Sequence, residues 1–142
     1  MSKTYQITGR VRFINRLMKT SIRWGIAPKQ MHMLTVKGRK TGKLYSTPVS
    51  IIEQDGSRWL VAPYGEVGWV RNARAAQQVT LNRGGKSETL KIEAVGAEEA
   101  APVLKTYIAK EAITRPYFDA GPDSPIDAFV AEASRHPVFR LT

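Results

Sequence analysis

From Met31 onward, apolar and polar positions alternate in short runs separated by turn-forming residues. A period of two is the signature of strands with one buried face. Residues 31–37 and 44–53 give a first pair of strands, the second carrying Val49, Ile51 and Ile52. Gln54-Asp55-Gly56-Ser57 then reads as a hairpin turn, and Trp59, Leu60 and Val61 mark a return strand over 58–62. A further hairpin joins 79–82 to 87–95 around Gly84-Gly85, with Leu90, Ile92 and Ala94 on one face and Thr89, Lys91 and Glu93 on the other. Residues 138–141 read as a closing strand.

Helical spacing appears between these strands. Residues 69–76 predict a short helix with Arg71 and Arg74 near one side. Residues 97–112 predict a longer one, opened by Glu98 and Glu99 at its positive dipole end and burying Val103, Leu104, Tyr107 and Ile108. A last short helix is expected over 126–134. The stretch 114–125 holds three prolines and a glycine, which predicts an irregular loop, and Tyr117 and Phe118 suit it to act as a lid. Pro48 cannot donate to a ladder, so its strand should be open or bulged on one side there. About six short antiparallel strands with inserted helices make a mainly β fold (α+β), a small barrel plugged by helices. An open sheet with helices on one face is the alternative.

The first thirty residues differ in pattern. Val11, Ile14, Leu17, Met18 and Ile22 recur at helical spacing with Arg12, Arg16, Lys19 and Arg23 opposite, and Gly25 and Pro28 end the helix. A basic helix with an apolar stripe over 10–24 can lie on an anionic membrane surface or pack on the domain with its charges in water. We expect residues 1–30 to belong to the same unit as the barrel of 31–142. No run reaches the roughly 18 apolar residues of a bilayer span, and no secretory signal is expected, so a cytoplasmic protein, peripheral at the inner face of the membrane at most, is the expectation.

Charge sharpens the picture. The net charge is +10, and no Asp or Glu precedes Glu53, whereas half of the 22 Lys and Arg residues do. An anionic partner is implied. Nucleic acid is not expected, because no docking motif or row of aromatics accompanies the basic residues. The chain has no cysteine, which removes thiolate nucleophiles and Cys-ligated metals, and His32 and His136 lie far apart in sequence with no companion ligand at metal spacing, so no metal site is expected. His136, before Pro137, reads as a turn cap. The strongest local feature is Gly38-Arg39-Lys40-Thr41-Gly42, where two glycines let the chain turn while a guanidinium, an ammonium and a hydroxyl point outward. Such a turn suits a phosphate or carboxylate. A solvated basic hairpin is the plain alternative.

Four segments in order, Gly38–Gly42, Thr47-Pro48-Val49, Trp59–Gly65 and Trp69–Ala75, resemble the deazaflavin-dependent nitroreductase and quinone reductase family of actinobacteria. The resemblance runs from about Met33 to Val95. It implies an FMN-binding-like split barrel and an oxidoreductase that uses reduced coenzyme F420 to deliver hydride to an electron-poor substrate such as a quinone, membrane-derived or not, or a nitroaromatic. By the resemblance, Arg39, Lys40, Thr41 and Gly42 meet the cofactor phosphate and Pro48 lies along the deazaflavin ring. Ala62, Pro63, Tyr64 and Gly65 match the loop that passes the ring, and Trp69, Asn72 and Arg74 flank the site. Tyr117 is the first candidate to hydrogen-bond or protonate substrate; Tyr64 and Tyr107 follow, although Tyr107 sits on the apolar stripe of its helix. A cofactor-free branch that binds fatty-acyl ligands and an FMN-dependent oxidoreductase are the other readings, and monomer and dimer stay open.

Overall fold

The computed structural model describes residues 29–142; the helix expected at 10–24, and its membrane contact, lie outside the described residues. In chain order the elements are β1 (Met31–Lys37), β2 (Leu44–Gln54), β3 (Ser57–Val61), α1 (Gly68–Ala76), β4 (Gln78–Arg83), β5 (Lys86–Ala94), α2 (Ala97–Lys110), α3 (Ile126–Glu132) and β6 (Val138–Leu141). The strands close into an antiparallel barrel in the order β1-β2-β3-β6-β5-β4. The barrel expectation holds and the open sheet does not.

Two strands change partner along their length. β2 pairs with β1 from Leu44 to Ser50 and with β3 from Ile51 to Gln54. β5 likewise pairs with β4 from Lys86 to Lys91 and with β6 from Ile92 to Ala94. The barrel is therefore two half-sheets stitched by β2 and β5. Pro48 sits opposite Met33 on β1, before the pairing with β3 begins, so the missing amide proton removes no bond to β3.

Alternation on β2 sorts its side chains between two cores. Val49 and Ile51 point into the barrel with Leu34, Leu60, Leu81, Leu90 and Phe139. Ile52 points outward into a second cluster with Trp59, Leu104, Ile108 and Phe129. Val70 and Ala73 of α1 belong to the barrel cluster, so this helix plugs the barrel, while α2 and α3 cover its outer face. Tyr107 is core, as its stripe position implied.

The stretch 114–125 is less irregular than expected. A 3-10 helix spans Ala112–Tyr117 with Pro116 inside it. A short helix tolerates proline because few of its amides need intrahelical acceptors. Thr114 Oγ1 also donates to the Glu111 carbonyl at 2.7 Å, and Arg115 Nε to the Ile108 carbonyl at 2.8 Å, which secures the preceding turn. The last helix stops at Glu132 and tightens into a 3-10 turn over Ala133–Arg135. Among the described residues no helix is long and apolar enough to cross a membrane.

Phe129 is fully buried between α2, α3 and the barrel wall. Phe129→Ala should cost about 3–5 kcal/mol, read as a lowered urea midpoint. A loss below about 1 kcal/mol would contradict the burial of Phe129 in this outer core.

Candidate functional site

The β1–β2 connection folds as a compact turn because its ends bond to each other. Gly38 N donates to the Lys43 carbonyl at 2.6 Å and Gly42 N to the Gly38 carbonyl at 3.0 Å. Lys43 N donates to Thr41 Oγ1 at 3.2 Å. Gly42 has φ +77°, a left-handed conformation that side chains disfavour. At Gly38 the constraint is space: a Cβ there would come within 2.6 Å of the Tyr45 ring.

This turn forms one wall of a cleft of about 400 Å³ lined by Gly38, Arg39, Lys40, Thr41, Tyr45, Ser46, Thr47, Gly68, Trp69 and Asn72. Asn72 projects from α1 and is buried, yet its Oδ1 accepts from the Arg39 backbone at 3.1 Å and from its guanidinium at 2.7 Å. A neutral amide thus holds the guanidinium, leaving its positive charge uncompensated by the contact. Lys40 has no carboxylate partner among the described residues, and no acid lines the cleft. Two cations, a hydroxyl and the indole of Trp69 are gathered in one cleft, a set of groups whose chemistry suits an anion. No group of metal-ligating side chains occurs among the described residues.

Of the residues singled out from sequence, Arg39, Lys40, Thr41, Trp69 and Asn72 meet in this cleft. Gly42 shapes the turn behind it, and Pro48 lies half-buried one residue past Thr47 on β2. Ala62 and Pro63 are buried, and Gly65 (φ +89°) packs where a Cβ would stand 3.3 Å from the Arg135 carbonyl. Tyr64 meets Tyr117 edge to face, with ring centroids 4.8 Å apart. These residues lie outside the cleft lining. Arg74 turns away from it, bonded to Glu66 at 2.6 Å and stacked over Phe139. The Tyr107 phenol is pushed far above its ordinary range, first by burial and then by Glu111 and Tyr64, so it stays protonated.

Sequence reasoning did not assign Tyr45, Ser46, Thr47 and Gly68 to the site. An aromatic placed just beyond a basic turn was the available signal for Tyr45. His136 is not simply a turn cap. Its backbone amide does close the 3-10 turn, but the ring is buried and bonds to Pro63 and Glu132. The i,i+4 spacing of Glu132 and His136 was legible as a pair; the residues that surround them were not.

Thirty-four chains of known structure match the fold. One is described as an F420-H2 dependent reductase, FDR-A, at 20% identity and TM-score 0.54, covering 80% of this chain and 95% of that one. Another, described as a domain-swapped dimer, gives 17% identity and TM-score 0.56, covering 94% of this chain and 100% of that one. General stress protein 26 of Bacillus anthracis gives 11% identity and TM-score 0.51, with 88% of each chain covered. At these identities the likeness is one of fold. No curated protein matches the sequence. The model of the F420H(2)-dependent quinone reductase family matches residues 10–132, most of the chain, and includes the cleft residues. The chain belongs to the F420H(2)-dependent quinone reductase family of oxidoreductases.

Proposed function

We propose that the protein reduces a quinone or a similarly electron-poor small molecule with reduced coenzyme F420, whose phosphate is held in the cleft between the β1–β2 turn and α1. The observation that carries this reading is the acid-free cleft in which Asn72 aims Arg39 without neutralising it. The residues present fit the group. Arg39, Lys40 and Thr41 would hold the phosphate, Trp69 and Tyr45 would flank it, and Pro48, Tyr64 and Gly65 would face the ring as the family resemblance implies, whereas Ala62 is buried in the barrel core. When bound, the reduced deazaflavin supplies hydride from C5 of its ring. The chain supplies orientation, exclusion of water and a proton.

The proton is assigned to the Tyr117 hydroxyl. Tyr117 is half-buried at the end of a 3-10 helix and rests on Tyr64, the residue next to Gly65. A carbonyl that receives hydride becomes an alkoxide or phenolate, and a neighbouring phenol can donate to it. Tyr107 is less suited, since burial makes its proton hard to release.

Titration with coenzyme F420 and, in parallel, FMN, followed by tryptophan fluorescence, tests the assignment because Trp69 lines the cleft. Binding of the deazaflavin that weakens as salt rises is expected. Binding of FMN alone would move the protein to the flavin reading, and binding of neither would sink the assignment. Arg39→Ala with Lys40→Ala should raise Kd on the order of a hundredfold, as expected for lost hydrogen bonds to a charged group. Asn72→Asp separates charge from packing. It can still bond Arg39 but neutralises it, so it should weaken binding more than Asn72→Ala does; the reverse order would contradict an anion site. Tyr117→Phe should lower kcat about tenfold or more while leaving Kd for the deazaflavin within twofold, measured by steady-state reduction of a soluble quinone.

A further inference from the structure

The chemistry above leaves one buried polar cluster unused. Glu132 and His136 are 2% and 3% exposed. The Glu132 carboxyl accepts from Asp119 N at 3.1 Å and from Ala120 N at 2.7 Å, and its Oε1 lies 2.8 Å from His136 Nε2. On the other side of the ring, His136 Nδ1 lies 2.8 Å from the Pro63 carbonyl. A carbonyl only accepts, so Nδ1 must be the donor there. The imidazole also stacks on Phe118, with centroids 3.7 Å apart and planes 13° apart. Arg135 completes the surroundings, 3.7 Å from Glu132 and bonded to Asp119 at 2.7 Å.

The partners of this cluster lie on two separate segments. Pro63 precedes Tyr64, on the segment between β3 and α1, and Phe118 follows Tyr117 at the end of the 3-10 helix. Tyr64 and Tyr117 are in turn the edge-to-face pair. One side chain thus grips the neighbour of each tyrosine. The Pro63 segment has further anchors to the same stretch: Ala62 N donates to the Pro137 carbonyl at 2.8 Å, and Gly65 packs on the Arg135 carbonyl. Burying two polar side chains against each other gives little net stability compared with an apolar pair, so the use of the pair is to fix geometry.

We propose that His136, held by Glu132, is a positioning residue that joins the 62–65 segment to the 117–120 segment and sets the placement of Tyr117 against Tyr64. The functional consequence rests on the activity proposed above. The joint itself does not.

Amide hydrogen exchange tests the joint without any cofactor. His136→Phe keeps the stacking on Phe118 and removes both ring nitrogens. It should speed exchange at Gly65, Val67, Asp119 and Ala120 by tenfold or more while β1 and β4 keep their protection. His136→Asn, whose amide nitrogen takes the place of the ring Nδ1 and can donate to the Pro63 carbonyl, should restore protection at Gly65 and Val67, and it serves also if the Phe variant does not fold. Unchanged exchange in both segments, or equal loss over the whole barrel, would overturn the joint. In turnover, His136→Phe should lower kcat with Kd for the deazaflavin within twofold. Combined with Tyr117→Phe it should be no worse than the poorer single variant, because both act through one group. Fully multiplying effects would overturn the coupling. A wild-type chain without deazaflavin-dependent turnover would sink the proposed activity, and the exchange pattern would still decide the joint.

Discussion

The arrangement depends on β2 having two partners. Its first half belongs to the sheet of β1 and its second half to that of β3, so it runs from the basic turn to the outer helical layer. Because successive side chains on a strand face opposite ways, that one strand serves three surroundings. Thr47 reaches the cleft, Val49 and Ile51 fill the barrel, and Ile52 anchors α2 and α3. Shifting its register by one residue would exchange barrel and outer face and move Thr47 out of the cleft.

The two polar clusters use opposite electrostatic solutions. At the cleft, a neutral amide orients a cation and leaves its charge uncompensated by the contact. Around Glu132 every polar atom is matched inside the protein, by two backbone amides and an imidazole. Among the described residues no buried side-chain nitrogen or oxygen lacks a hydrogen-bond partner. Unspent charge is confined to the surface where a ligand can meet it.

Strands, helix positions and the basic turn were legible because each rests on local rules: alternation, helical spacing, glycine at a sharp turn. Strand ends needed adjustment by a residue or so, as expected where pairing rather than propensity ends a strand. Asn72 and Trp69 came from a resemblance, since 33 residues separate Asn72 from Arg39 and nothing local joins them. His136 shows the limit most clearly. Its position before proline suggested a cap, whereas its partners Pro63 and Phe118 lie far away in sequence and meet it only after the barrel closes. The 3-10 helix over Ala112–Tyr117 was hidden for a related reason: prolines exclude a long α-helix but not a single tight turn.

The bond between Arg39 and Asn72 ties a hairpin turn to the helix that plugs the barrel. An anion that engages Arg39 therefore loads the closure of the barrel as well as its rim. Occupancy becomes a folding term: a ligand at a thousand times its Kd shifts the folding equilibrium by about 4 kcal/mol. On the function proposed above, the lifetime of the protein in a cell would follow the supply of the anion that fills this cleft, with empty chains the first to be unfolded and degraded.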